Sequence, residues 1–105
     1  MFFDRARQIF ELQSKARRLQ RELKETLVEG EALDGKIKVV VSGEQKVQQI
    51  SIDPSLLGSD NRVTLELQLK SALNSALARA QEQAANKMEE ITGNVDITKL
   101  LGGNK

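Results

Sequence analysis

The sequence has no cysteine and no histidine among its 105 residues. Without them the chain cannot form disulfides, thiol nucleophiles, Cys/His zinc sites or a Ser-His-Asp triad. Asp53 is the only acidic residue at the end of a predicted strand, and a strand-ending cap before Pro54 explains it without chemistry. We therefore expect no enzyme activity, no cofactor, no metal and no small-molecule substrate.

Aromatic residues and long apolar runs are also scarce. Only 3% of the residues are aromatic, so stacking platforms for single-stranded nucleic acid are not visible. No apolar run approaches the roughly 20 residues that a membrane-spanning helix needs, and the N-terminus lacks the apolar core of a signal peptide. Phe2, Phe3 and Phe10 would permit a helix on a membrane surface, but such helices have a richer aromatic and Leu face. The expected location is the cytoplasm, with no membrane partner.

The net charge of +1 is divided unevenly along the chain. Residues 1–25 carry seven basic and four acidic side chains, a net charge of +3. Residues 26–61 carry three basic and six acidic side chains, a net charge of −3. Basic character is therefore concentrated in the first segment.

That first segment is predicted to form one helix from Phe2 to about Thr26. Apolar or small residues recur there at alternating steps of three and four, apart from Arg5, where an apolar residue would complete the pattern. This is a heptad seam. Such a helix would be roughly 37 Å long, against a diameter of about 26 Å for a compact chain of this size, so part of it must project or meet another chain. The seam consists of Phe2, Ile9, Leu12, Ala16, Leu19, Leu23 and Thr26.

The opposite face of the helix is a basic stripe. Arg17 and Lys24 have no acidic partner four residues further on, and adjacent like charges mildly destabilise a helix. A polyanion that neutralises the stripe is one interpretation. The other is a solvated face with ion pairs such as Arg18 to Glu22. The stripe runs through Phe3, Arg7, Phe10, Ser14, Arg17, Arg21 and Lys24.

The middle of the chain predicts a small antiparallel sheet. Residues 36–41 alternate in polarity, with β-branched side chains on one face, and a turn at 42–45 leads into a return strand carrying Ile50 and Ile52. Pro54 ends that strand because proline cannot donate to a ladder. A short strand over 28–32 precedes the hairpin, joined to it by Asp34 and Gly35. Three strands with one apolar face result.

A second long helix is predicted from Arg62 to about Ile91, with Asp60 or Asn61 as its cap. The middle of its apolar stripe is mostly alanine, and we expect this face to pack against another helix, with Met88 in the core. The fold class is α+β, in the order α-β-β-β-α, with the sheet flanked by two long helices. Residues 1–93 are expected to form a single domain, and 94–105 a flexible C-terminal tail.

This order of elements resembles the YbaB/EbfC family of bacterial nucleoid-associated proteins over roughly residues 1–93. The resemblance implies an α-β-β-β-α fold that dimerises through its sheet and helices, with helical arms shaped like tweezers. It also implies binding to duplex DNA with broad sequence tolerance, in chromosome organisation and gene regulation. The residues that carry it are Gly30, Gly35, Val39 and Gly43, the segment ISIDPSLL at 50–57, Asn74 and Ala76, and Met88 with Ile91, Thr92 and Gly93.

Two hypotheses of function follow. In the first, a homodimer in the nucleoid contacts DNA phosphates through its first helix with little sequence specificity, since phosphate contacts do not distinguish bases. In the second, a dimeric helical adaptor binds a protein partner, which the near-neutral net charge favours. The predicted DNA-binding residues are Arg7, Arg17, Arg18, Arg21 and Lys24. The predicted dimer or core residues are Ile9, Leu12, Leu19, Leu23, Ile50, Ile52, Leu69 and Leu73.

Overall fold

A computed structural model of the protein describes the backbone of residues 2–93 and the side chains of residues 4–93. Helix α1 is followed by three strands and a second helix, which confirms the predicted order α-β-β-β-α. Two short 3₁₀ turns, Pro54–Leu56 and Ser59–Asn61, connect the last strand to the second helix. The tail predicted at 94–105 lies outside the described residues. The elements are α1 (Phe2–Glu25), β1 (Leu27–Ala32), β2 (Ile37–Ser42), β3 (Val47–Ile52) and α2 (Arg62–Thr92).

The three strands form an antiparallel sheet in the order β1-β2-β3. Its central strand supplies the largest fully buried apolar side chains: Ile37, Val39 and Val41 lie on the face predicted from their alternation. Ile50 pairs with Val39 and Ile52 with Ile37, so both isoleucines lie on that same face. A register shift between Val40 and Val41 marks a bulge next to the β2–β3 turn.

Helix α2 covers β1 and β2 with its alanine face, in which Ala72, Ala76 and Ala80 are fully buried. The prediction that this face packs against another helix is wrong for Ala72 and Ala76. Their partner is β1, where Gly30 has no side chain to hold the helix away. A Cβ atom at Gly30 would lie 2.3 Å from the Ala72 carbonyl oxygen and 2.5 Å from the Ala76 nitrogen. Alanine on the helix and glycine on the strand therefore allow the two backbones to touch.

Of two local predictions for the ends of α2, one is confirmed in position only and the other is wrong. Asn61 occupies the N-cap position of the helix, but its side chain makes no capping hydrogen bond. Its Nδ2 donates instead to the Ser55 carbonyl oxygen at 3.1 Å, which ties together the connection between β3 and α2. Met88, expected in the core, is 42% exposed.

Large parts of the molecule are exposed to solvent. All side chains from residue 4 to residue 14 of α1 are exposed, and every residue of β3 except the half-buried Ile52 is exposed. The radius of gyration is 19.5 Å, against about 13 Å for a compact domain of this length. The principal extents are 69 × 29 × 17 Å. The molecule is therefore elongated, with α1 projecting from the sheet.

Candidate nucleic-acid interface

The basic stripe of α1 and the β2–β3 turn together enclose an open groove of about 420 Å³. One wall is the C-terminal half of α1, and the other is the turn that follows β2. Four of the side chains that line the groove are cationic and one is a carboxylate, so the groove carries a formal charge of +3. The lining residues are Arg17, Gln20, Arg21, Lys24, Glu44 and Lys46. We call this site the basic groove.

The helical wall follows directly from the spacing of its residues. Arg17, Arg21 and Lys24 are four and three positions apart, which places them on one face of a helix. Gln20 lies between them on the same face. The helix thus presents three cations in a row about 10 Å long, at 1.5 Å per residue. Phosphates are negatively charged and carry several acceptor oxygens, so they are suitable ligands for this row of cations.

The second wall is held in place by the sheet register and by Gly43. Leu27 pairs with Ser42, so the end of β2 returns to the point where α1 ends. The Gly43 N–H donates to the carbonyl oxygens of Leu23 at 2.9 Å and Thr26 at 2.8 Å. A Cβ at Gly43 would lie 2.8 Å from the Leu23 oxygen, so glycine is needed for this contact. The turn is therefore attached to the C-terminus of α1.

The turn is also fixed internally by Ser42, which is buried. Its hydroxyl accepts from the Glu44 N–H at 3.2 Å and the Lys46 N–H at 3.4 Å. Its own N–H donates to the Lys46 carbonyl oxygen at 2.9 Å. Gln45 occupies the left-handed region with a φ of 66°. The backbone that carries Glu44 and Lys46 is thus held before any ligand arrives.

The structure brings three of the five predicted DNA-binding residues together in the basic groove: Arg17, Arg21 and Lys24. Arg18 does not line it. Its Nε lies 2.7 Å from Glu22 Oε2, and Glu22 Oε1 lies 3.6 Å from Lys87 Nζ on α2. Arg7 lies ten positions before Arg17, on the exposed N-terminal part of α1. DNA binding by these five residues remains a prediction.

Glu22 connects the two helices as well as neutralising Arg18. The hydrogen bond from Arg18 and the positive charges of Arg18 and Lys87 hold the pKa of Glu22 below its usual value. The carboxylate therefore stays ionised at neutral pH and keeps Arg18 turned toward it. Exposed pairs of this kind contribute little to stability. The pair matters here because it orients the Arg18 guanidinium toward Glu22.

Lys46 is the residue that sequence reasoning missed. It stands on the hairpin, where no helical periodicity connects it with the basic stripe. A signal was nevertheless present, since a sheet in which β1 follows α1 and pairs with β2 must place the β2–β3 turn near the end of α1. The pairing of Leu27 with Ser42 in that register would have placed the turn that carries Lys46 near the C-terminal end of α1.

The predicted dimer or core residues divide into three groups. Leu69 and Leu73 are half-buried and pack against the core of the protomer, as does Ile52. Leu19 and Leu23 are half-buried on α1. Ile9, Leu12 and Ile50 are 58%, 55% and 48% exposed, although the sequence pattern places them on apolar faces.

The described residues offer little that suggests catalysis. Asp53 Oδ1 accepts from the Ser55 N–H at 2.8 Å and caps the first 3₁₀ turn, the capping role predicted for it. A second shallow groove, of about 330 Å³, is lined by Asn86, Glu89 and Glu90. Within residues 4–93 no group of three or more acidic side chains is arranged to hold a metal ion. Neither helix in the described part is apolar enough over a sufficient length to cross a membrane.

Comparison with known proteins gives matches over most of the chain. The model of the YbaB/EbfC DNA-binding family matches residues 3–95. A nucleoid-associated protein of Dictyoglomus turgidum is 35% identical over 95 residues, covering 90% of this chain and 91% of that protein. Nucleoid-associated protein RPA0616 of Rhodopseudomonas palustris is 38% identical over 101 residues, covering 96% and 95%. The crystal structure of uncharacterized protein HP0035 from Helicobacter pylori matches with a TM-score of 0.77 at 22% identity, covering 89% of this chain and 98% of that one. This last similarity concerns the fold.

Proposed function

The chain belongs to the YbaB/EbfC DNA-binding family, and from this premise we propose that it binds duplex DNA as a homodimer in the bacterial nucleoid. Residues 1–93 would form the single domain that does so. The proposed role is non-enzymatic: DNA is held through its phosphates, with little sequence specificity, and its organisation affects gene expression. Relatives named as nucleoid-associated proteins support this location.

The observation that carries the proposal is the basic groove. Arg17, Arg21 and Lys24 face one open space from α1, and none of the three forms an ion pair among those described for residues 4–93. Cations without an acidic partner are available to neutralise phosphates and to release counterions. Contacts of this type position a protein on DNA without reading bases.

Exposed apolar side chains support the homodimer. Ile9 and Leu12 on the seam of α1 and Ile50 on β3 are each about half exposed or more in the protomer. Isolated apolar residues on a surface are ordinary, but several on one projecting helix favour an interface. A second copy of the chain carries the same seam, and heptad seams pair with one another. A dimer would place two basic grooves on one DNA molecule.

The experiment that tests the proposal is a salt titration of DNA binding. Fluorescence anisotropy would follow an unrelated labelled duplex of about 30 base pairs, long enough for several phosphate contacts. If each protomer neutralises three phosphates, the dimer neutralises about six, and log affinity falls with log salt at a slope of about −5. Steep weakening with salt is the expected result.

The decisive variant carries Arg17→Ala, Arg21→Ala and Lys24→Ala together. We expect it to remain a dimer in sedimentation and to lose most of the salt-dependent affinity. The matched control, Lys38→Ala with Arg62→Ala and Lys70→Ala, removes three exposed charges elsewhere and should bind as the parent does. Unchanged DNA binding in the first variant would show that the contacts lie outside the basic groove. No binding by the parent even at low salt would favour a protein-binding adaptor.

A further inference from the structure

The basic groove has a cation that does not belong to α1. Lys46 lies on the β2–β3 turn, on the wall opposite Arg17, Arg21 and Lys24. Its side chain is exposed. A phosphate that entered the groove from solvent would therefore have positive charge on two sides, whereas a phosphate on the bare helix would have it on one.

On the basis of the DNA binding proposed above, we propose that the β2–β3 turn is a second DNA-contacting element. The duplex backbone lies in the groove between α1 and the turn, and Lys46 neutralises a phosphate from the turn side. The lysine ammonium suits this role because it is a compact charge that binds phosphate without demanding a fixed orientation. The ligand is a backbone phosphate, so the contact adds affinity and no base preference.

The attachment of the turn makes this contact effective. The two hydrogen bonds from Gly43 hold the turn to α1, and the buried Ser42 hydroxyl holds the backbone N–H of Lys46. The position of the Lys46 Cα relative to the helical cations is thus set in the free protein. Binding then has to order only the lysine side chain and not the loop, which limits the entropy lost on binding.

Glu44 acts in the opposite direction. It stands two residues before Lys46 on the same turn, is half-buried, and lines the groove. A negative charge there repels an incoming phosphate and offsets one of the four cations. We assign to it the role of limiting affinity.

The test compares Lys46→Gln with Lys70→Gln in the salt titration. Both variants remove one exposed lysine, but Lys70 lies on α2 outside the groove. With Lys46 as a fourth contact the parent dimer has a slope of about −7, and Lys46→Gln returns it to about −5. Raising the salt concentration from about 50 to 200 mM weakens binding by a certain factor. That factor should then be roughly tenfold smaller for Lys46→Gln than for the parent. Lys70→Gln should keep the parent slope.

Glu44→Gln provides the reciprocal measurement. It should bind more tightly than the parent at low salt and with a slope at least as steep. Both turn substitutions are expected to leave the circular dichroism spectrum and sedimentation unchanged, because neither side chain is in the core. Identical slopes for Lys46→Gln and Lys70→Gln, in a parent that binds with a steep slope, would overturn the role of the turn and leave the proposed function standing. A parent that binds no DNA would overturn both.

Discussion

Gly30 is the residue on which the packing of α2 against the sheet depends. The atoms that an alanine Cβ would meet are the backbone oxygen of Ala72 and the backbone nitrogen of Ala76. Neither can rotate away, so the whole helix would have to move from β1. We expect Gly30→Ala to lower the free energy of unfolding by about 2 kcal/mol or more, as overpacked cores do. Urea denaturation followed by circular dichroism, at fixed protein concentration, measures this.

Gly58→Ala is the matched control for that prediction. Gly58 has ordinary extended dihedral angles, φ −78° and ψ 154°, and the nearest atom to an added Cβ is Asn61 Nδ2 at 3.7 Å. Alanine fits there and restricts the unfolded chain, so the expected change is neutral to stabilising by about 0.5 kcal/mol. If both variants were equally stable, α2 would not rest on the β1 backbone as described.

Asp53 should make stability depend on pH. Hydrogen bonding to the Ser55 side chain, then to the Ser55 backbone N–H, with the Lys36 charge adding, holds the pKa of Asp53 below its usual value. A lowered pKa in the folded state means that the carboxylate favours folding above the unfolded value of about 4, and that this contribution disappears as pH falls through the folded value. Below about pH 4, Asp53→Asn should therefore lose stability less steeply than the parent.

Thermal unfolding between neutral pH and pH 3, at constant ionic strength, compares the two proteins on this point. An asparagine side chain keeps an oxygen that accepts the capping hydrogen bond. Asp53→Asn should therefore have the same fold as the parent at neutral pH. If the stability of Asp53→Asn fell at low pH as steeply as that of the parent, the Asp53 cap would not distinguish the ionised from the protonated carboxyl. Glu22 has a pKa lowered by Arg18 and Lys87 and should add to the parent's loss in the same direction.

At the scale of elements, the N-terminal half of α1 stands without support in the protomer. Side chains 4–14 are all exposed, and an isolated helix of that length is marginal in water. We expect the amide hydrogens of residues 6–14 to exchange rapidly in dilute protein and to become protected as concentration rises and dimers form. Amides between Ala72 and Ala80 should be protected throughout.

Hydrogen exchange measured by mass spectrometry at nanomolar and at micromolar protein concentration would detect the difference. The α2 segment is an internal control, since it is buried against the sheet of its own protomer. Concentration-independent protection of residues 6–14 would mean that the first half of α1 is stable by itself, and would weaken the case for its pairing with a second copy.

The sequence predicted the elements better than it predicted their contacts. Helical and strand periodicities located all five elements, and alternation identified Ile37, Val39 and Val41 as core. The alanine face of α2 showed that some backbone approaches closely, but not whether that backbone was a helix or a strand. Gly30, a glycine inside a strand, is the residue that indicates β1 as the closely packed backbone.

The basic groove was predictable only in part for a related reason. Spacing along one helix placed Arg17, Arg21 and Lys24 on a common face, because local geometry alone determines that. Lys46 joins them through the pairing of β1 with β2 and through the Gly43 hydrogen bonds to α1. Contacts made across the sheet need the register as well as the pattern. Arg18 is among the predicted DNA-binding residues although its spacing from Glu22 also predicts an ion pair, and the structure contains that pair.

On the scale of the whole molecule, the protomer exposes more surface to solvent than a compact monomer of the same mass. Its accessible area is 8179 Å², against about 5,900 Å² for a compact monomer of this mass. The excess of roughly 2,000 Å² is larger than the ~800 Å² per partner that a stable interface buries. Exposed apolar residues on the projecting helix fall in that excess. A second copy that covers them would also bring a second basic groove to the same duplex.

The number of phosphates bound should therefore follow the oligomeric state. Leu12 lies on the heptad seam, on the opposite side of α1 from Arg21, and is exposed in the protomer. Leu12→Gln should shift the protein to monomer in sedimentation without changing its helix content, because glutamine is as good a helix former as leucine. With one basic groove per DNA-bound molecule instead of two, the slope of log affinity against log salt should fall to about half of the parent value. A Leu12→Gln monomer that kept the full slope would show that one protomer makes every phosphate contact, and the dimer would then have a role other than joining two grooves on DNA.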